Sequence, residues 1–259
     1  MPWIPRGLRE GILTSRYPRR PDGYGEGFRG TVVVHPSGDP RVTTAAEACP
    51  TNAISVAEGR PRLDRGRCIL CGRCTELCPE VFQFEPTFET ATIGRDALVV
   101  PDLDEDELAA EQVRTELARR VKAFRRSVHI RHVDAGSDGS EEWEVAALTN
   151  PVYDVQRLGI YFTASPRHAD LLLVTGVGAA GMLGPLRETY DAMPEPKVVI
   201  AAGVDAISGG LLADSYVAQG GLADAVPVDV FVPGSPPSPF GLLFGILLAV
   251  GLLPRPATP

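Results

Sequence analysis

Between residues 68 and 78 the chain reads CILCGRCTELC, with a proline directly after the last cysteine. No other stretch restricts the backbone as strongly. A C-x2-C-x2-C run must turn tightly enough to aim three thiolates, those of Cys68, Cys71 and Cys74, at one cubane, while the fourth thiol, Cys78, faces away toward a second site. The three therefore need a further thiolate from elsewhere. The chain has five cysteines, and the remaining one is Cys49, in AEACPTNAIS, with its own Cys-Pro context. Cys49, Cys68, Cys71 and Cys74 are accordingly assigned as the ligands of one 4Fe-4S cluster.

Counting back from Cys49 by the same spacing gives Asp39, Val42 and Ala45 where a second three-cysteine set would stand. One cluster is predicted, not two. Cys78 is then left as a free, buried thiol that acts as a small hydrophobe. The competing use of the group is a four-cysteine zinc site, although zinc sites favour paired C-x2-C units over three cysteines in a row. The run has the spacing of bacterial ferredoxins, and residues 36–100, which hold every cysteine, are expected to form an α+β ferredoxin-like module.

A chain of 259 residues is long for one domain. Its 44% apolar and 22% charged residues and its net charge of -8 describe a globular protein without the basic field that nucleic acid requires. Proline and glycine concentrate in residues 1–40 and in PGSPPSP at 233–239, which read as extended arms. Residues 1–35, rich in arginine with Trp3, Ile4 and Leu8 among them, lack a core of their own and are expected to be disordered alone or, the favoured reading, to lie along a neighbouring subunit. The start lacks the features of a secretory signal, and the one long apolar run, 240–253, falls short of the about 20 residues that span a bilayer. That run is read as the last helix of a domain.

From 104 to 127 apolar residues recur at helical spacing, with acids leading and bases closing. This predicts a helical linker over 101–127. Beyond it ADLLLVTG (169–176), KVVIAAG (197–203) and VPVDVFVPG (226–234) are short apolar runs ending in glycine, as in strands buried on both faces of a parallel sheet. GPLRETYDAM between the first two reads as a crossover helix with Pro185 in its first turn. The expectation is a three-layer α/β module of flavodoxin-like, parallel-sheet type over 128–253, with a tail at 254–259.

GVGAAG (176–181) fits the dinucleotide fingerprint and Asp205 falls near the position of a ribose-binding acid. Gly184 and Pro185, however, displace the following helix from the glycine turn, which argues for a structural role. His129, His132 and His168 are read as structural histidines; the first two, three residues apart, would lie on opposite faces of a strand.

The N-terminal half, through TSRYP, EGFRG, ACPTNAI, GRCILCGRC and FETAT (88–92), resembles the ferredoxin-type subunit of formate hydrogenlyase and complex I. The C-terminal half, through NPVYDVQRLGI (150–160), SPRHADLLLVTG (165–176), MPEPKVVIAAG (193–203) and VPVDVFVPGSPPSP (226–239), is similar to the small subunit of the same machines, the group 4 hydrogenases and NADH-quinone oxidoreductase. The resemblance implies a fusion of the two subunits. It also implies that the small-subunit half should bind a terminal 4Fe-4S cluster through four cysteines. Their counterparts here are Asp138, Glu141, Asp205 and Ser235, so that site is expected to be lost; three acids and a hydroxyl could instead hold Mg2+ or Ca2+, or be solvated and hydrogen-bonded. The implied partners are a large hydrogenase or complex I-like subunit and a membrane subunit, with the chain peripheral on the cytoplasmic side and reaching the membrane through them. Two functions follow: an electron-carrying iron–sulfur subunit of an oxidoreductase, with no catalytic residue of its own, or a structural module bridging its neighbours, its cluster serving stability.

Overall fold

The computed structural model describes residues 3–101, 107–122, 124, 127–222 and 224–253; side chains of 107–111 are not described. Helix α1 (Trp3–Glu10) opens the chain and buries none of its side chains. The sequence suggests an extended arm here, yet apolar Trp3, Ile4 and Leu8 gather on one face of a helical turn and Arg6 and Arg9 on the other, with Arg6 paired to Glu10 at 2.8 Å.

From Thr14 onward the arm packs on its own chain. Thr14 Oγ1 donates to the Pro151 carbonyl at 2.7 Å and the Ser15 amide to the Val152 carbonyl at 2.8 Å. Arg157 Nη2 donates to the Tyr17 carbonyl at 2.6 Å, and buried Tyr17 donates to Glu89 and packs edge-on against Phe88 and Phe240.

The cysteine-bearing region is built from two small sheets. Strand β1 (Thr31–Val34) is followed by helix α2 (Arg41–Glu47), then by the antiparallel hairpin of β2 (Ile54–Ala57) and β3 (Arg60–Asp64). Glu58 and Gly59 both take positive φ, 52° and 75°, as a two-residue turn matched to strand twist demands. Helix α3 (Arg73–Leu77) leads to β4 (Phe82–Glu85), which pairs antiparallel with β1. Val32, Val42, Ala45, Leu63, Val81 and Phe82 form the core of this region, with Cys74 and Cys78 among them. Strand β5 (Thr92–Ile93) leaves it to join the second sheet, and β6 (Val99–Val100) returns to pair with β3.

Helix α4 (Glu107–Val121) follows; the predicted extension of its ends into 104–106, 123, 125 and 126 lies outside the described residues. It packs Leu117 and Val121 on the second sheet and ties Arg120 to Asp229 and to the Lys197 carbonyl. That sheet contains β7 (Val128–Asp134), β8 (Ile160–Phe162), β9 (Leu171–Thr175), β10 (Val198–Ala202) and β11 (Val230–Val232), with helix α5 (Ser140–Ala147) between β7 and β8, α6 (Leu183–Asp191) between β9 and β10, α7 (Val204–Ser208) after β10, and α8 (Pro239–Ala249) last. The spatial order is β5-β11-β10-β9-β7-β8, and all pairs are parallel except β5 with β11. Taken from β7, the five parallel strands run 2-1-3-4-5, the flavodoxin-type order.

Why the apolar runs are unbroken is visible in the packing. Leu171, Leu173, Val198, Ile200, Val230 and Val232 face one side with Val145 of α5 and the apolar α8. Leu172, Val174, Val199, Ala201 and Phe231 face the other with Leu186 of α6 and Ile207 of α7. The region is a three-layer α/β module. Helix α8 starts on Ser238, whose hydroxyl accepts from the Gly241 amide, with Pro239 in the first turn. It approaches the sheet so closely that a Cβ on Gly245 would stand 2.3 Å from Val232 Cγ2. Strand β11 is shorter than the run 226–234 because Pro227 and Pro233 have no amide to pair.

A candidate iron–sulfur site and an acidic site at the strand ends

Cys49, Cys68, Cys71 and Cys74 line one cavity. The loop between Cys68 and α3 turns through Leu70 at φ 55° and Gly72 at φ 85°, which brings three thiols of one short run to the same wall. Cys49, directly after α2, supplies the opposite side, and its sulfur accepts from the Ala53 amide at 3.3 Å. The remaining walls are largely apolar, with Val32, Ala45, Ile54, Leu63 and Ile69. Burial pushes the Cys68 thiol up to about 12 and Cys74 up to about 11, and the neighbouring thiols of the set add to both. A metal bound through these thiols would have to displace their protons.

Cys78 does not line the cavity. It is fully buried beside Val42, Ala45 and Phe82, and burial raises its pKa, with Asp39 next in effect. Asp39 itself is paired with Arg41 at 2.6 Å. The places where a second set of thiols would stand are thus occupied by an ion pair and by core side chains.

A second, small cavity lies between the cysteine loop and the α/β module, lined by Arg65, Cys68 and Leu70 on one side and Pro233 and Gly234 on the other, with Gly30, Thr31 and Thr90. Cys68 borders both cavities. The four-cysteine pocket therefore abuts the loop that carries Ser235.

Asp138, Glu141 and Asp205 meet at the carboxyl ends of the parallel strands, where the strand order reverses between β7 and β9. Asp138 accepts from the Ser140 amide at 2.9 Å and is held below the usual carboxylate range by Ser140. Glu141, only 2% exposed in the first turn of α5, is pushed up to about 7 by burial, with Asp205 and Asp138 adding to the shift. Its carboxylate accepts from Ser140 Oγ at 3.1 Å. Gly203, at φ 93°, makes room for it, since a Cβ there would stand 2.7 Å from Glu141 Oε1. Burial also raises Asp205. Ser235 is exposed and shares no hydrogen bond with the acids among the described contacts; its loop is tied to α7 by the Val204 amide donating to the Gly234 carbonyl at 2.9 Å. Among the described residues no three His, Cys, Asp or Glu side chains gather around a single metal-ion position.

Sequence reasoning missed a hydrogen-bonded chain beside these acids. His132 Nε2 meets Thr175 Oγ1 at 3.0 Å, Thr175 donates to Glu142 Oε1 at 2.5 Å, and Ser137 Oγ donates to Glu142 Oε2. The signal was a fully buried threonine ending an otherwise apolar strand, whose hydroxyl has to find a partner. His129 stacks on Tyr161 and lies 3.6 Å from Asp170, whereas His168 is exposed. The glycines of GVGAAG serve close backbone approach: a Cβ on Gly176 would stand 2.6 Å from the Gly136 backbone, and α6 begins only at Leu183 after a 3-10 turn.

A pocket of four thiols joined to a flavodoxin-ordered α/β module is the arrangement of an iron–sulfur protein. The family model for NADH ubiquinone oxidoreductase, 20 Kd subunit, matches residues 139–249, and that for the 4Fe-4S single cluster domain of Ferredoxin I matches 63–115. Formate hydrogenlyase subunit 7 of Escherichia coli is 39% identical over 143 residues, 55% of this chain and 56% of that one. The probable membrane-bound hydrogenase subunit mbhJ of Pyrococcus furiosus is 39% identical over 139 residues, 54% of this chain and 83% of that one. A subunit of the NADH-quinone oxidoreductase of Geotalea daltonii is 46% identical over 104 residues, 40% and 61% respectively. The chain thus spans little more than half the length of the formate hydrogenlyase subunit. It belongs to the family of the NADH ubiquinone oxidoreductase 20 Kd subunit.

Proposed function

We propose that this chain is the iron–sulfur subunit of a membrane-associated complex I-like or energy-converting hydrogenase-like oxidoreductase, combining in one polypeptide what the resemblance divides between two subunits. In this reading a ferredoxin-like module over 36–100 holds one 4Fe-4S cluster on Cys49, Cys68, Cys71 and Cys74. A linker over 101–127 joins it to a small-subunit-like module over 128–253, flanked by the arm 1–35 and the tail 254–259. Asp138, Glu141, Asp205 and Ser235 replace the ligands of a lost terminal cluster, and Cys78 is free.

The observation that carries this is the convergence of Cys49 with the 68–74 run on one apolar-walled cavity. Thiolates are the donors that cubane iron requires. The cluster, when bound, supplies one-electron transfer. The chain's own residues hold it, exclude water with Val32, Ile54 and Leu63, and donate to the Cys49 sulfur from the Ala53 amide. Carboxyls and a hydroxyl are poor cubane ligands, which favours loss of the terminal site.

The relatives' names place them in formate hydrogenlyase and a membrane-bound hydrogenase, which supports a large subunit and a membrane subunit as partners. Among the described residues no helix is long and apolar enough to cross a membrane; the peripheral place on the cytoplasmic side rests on the resemblance. Exposed Trp143, Leu211, Leu212 and Tyr216 offer apolar surface for such partners.

The second reading, a bridging module whose cluster serves stability, draws on the acids at the strand ends, which leave an electron no successor centre within the chain. Low-temperature EPR of the reduced complex with its copurifying subunits tests both. One cubane that re-oxidises with substrate supports electron transfer. A cubane that does not, and a complex whose turnover survives Cys71→Ser, would leave only the bridging role. Cys49→Ser with unchanged iron content would refute the ligand assignment.

A further inference from the structure

Arg65 stands three residues before the first cysteine of the run, on the side of Cys68 that faces the α/β module. Its backbone is fixed at both ends: its amide donates to the Leu98 carbonyl at 2.9 Å, and its carbonyl accepts from the Cys68 amide at 3.3 Å. Its side chain lines the cavity shared by Cys68, Leu70 and Gly234. Within it, Nε is shielded from solvent and has no hydrogen-bond acceptor. A guanidinium in such a place is costly unless an anion faces it. The group of opposite charge that does so is Glu85, joined by Cys68 once its thiol is deprotonated to a thiolate.

We infer that Arg65 tunes the cluster held by Cys49, Cys68, Cys71 and Cys74, its fixed positive charge beside Cys68 raising the reduction potential. The inference rests on the cluster assignment proposed above. A 4Fe-4S centre on four thiolates is anionic when oxidised and gains one further negative charge when one electron enters. A cation behind one of its sulfurs therefore stabilises the reduced form more than the oxidised form, and does so strongly where water is excluded. The guanidinium stays protonated in both states, so no proton is exchanged in the step. Its unmatched Nε–H is a donor that the protein alone leaves unused, and hydrogen bonds near cluster sulfurs act on the potential in the same direction. Glu85 opposes the effect. Arg65 is thus a positioning residue acting through Cys68, and it touches no substrate.

The test is an EPR-monitored redox titration of the full chain in its complex, with iron quantified on the same samples. Arg65→Gln is expected to retain its iron and its cubane signal while the midpoint moves to more negative potential. The expected size is about tenfold in the reduced-to-oxidised ratio at the wild-type midpoint, ~59 mV for a one-electron couple. Arg65→Lys should restore most of the shift, and Glu85→Gln should move the midpoint the other way. A cubane-loaded Arg65→Gln with the wild-type midpoint overturns the inference, as does an Arg65→Lys that behaves like Arg65→Gln. If Arg65→Gln loses its iron, Glu85→Gln decides: an unmoved midpoint there overturns the inference. Wild-type protein without any cubane would instead refute the cluster assignment itself.

Discussion

Glu141 at the start of α5 gives the most direct test of how the acidic site behaves. Its carboxyl is 2% exposed and stands at about 7 in the fold against an ordinary 4.5. Burial is the main cause, with Asp205 and Asp138 adding to it. The folded state therefore binds a proton that the unfolded state has released, so stability falls as pH rises from 4.5 through 7 and is flat beyond. At 1.36 kcal/mol per tenfold change in proton affinity the full cost is ~3 kcal/mol, and relaxation of Ser140 and the loop brings it to about 2–3 kcal/mol.

Glu141→Gln keeps the shape and discards the charge. Near pH 4 the variant and the wild type should unfold at nearly the same denaturant concentration. At pH 8 the variant should be the more stable by about 2–3 kcal/mol, because the glutamine pays no ionisation cost. Urea unfolding followed by far-ultraviolet circular dichroism measures the difference at both pH values. An equal effect at pH 4 and pH 8 would show that Glu141 ionises alike in the folded and unfolded states and would refute the argument from burial.

Three further outcomes follow from the geometry. Cys49→Ser should lower bound iron to a small fraction of wild type, measured by colorimetric iron assay, because one of four thiolates is gone. Cys78→Ala should leave iron content unchanged and cost about 1 kcal/mol in unfolding experiments, as a small buried side chain is trimmed. Gly245→Ala should destabilise by about 1–3 kcal/mol in thermal or urea melts, because its Cβ would enter the space of Val232 Cγ2 at 2.3 Å.

What could be read in advance follows the range of the interactions. Strands β9 and β10 were legible because burial on both faces leaves an unbroken apolar run, and α8 because it fills a core layer too short to cross a bilayer. The cavity was legible because three of its thiols lie within seven residues and the fourth was the only cysteine left outside the run. The docking of the arm was not, since Ser15 meets Val152 and Tyr17 meets Glu89, partners far along the chain that no local pattern announces. Strand β5, two residues long, is equally silent in sequence: only its pairing with Phe231 and Val230 makes it a strand. The Thr175–Glu142–His132 chain escaped notice because it joins side chains from β7, β9 and α5 that become neighbours only once the parallel sheet has formed.

The acids at the strand ends also bear on how the proposed loss of a cluster could be tolerated. A cubane on four thiolates brings its own bulk and charge, and removing it would leave Gly203 and Gly210 as open backbone at the centre of the loops. In their place the Glu141 carboxyl fills the room left by the absent Cβ of Gly203, and Asp205 does the same at Gly210, where a Cβ would stand 2.0 Å from its Oδ1. Burial raises the pKa of both Glu141 and Asp205, and their side chains preserve the loop spacing. Asp138 remains ionised against Ser140 and leaves one negative charge at the rim. The loops from β7, β10 and β11 thereby keep their spacing without a metal to tie them. This is why, on the proposed reading, the fold outlasts its terminal cluster.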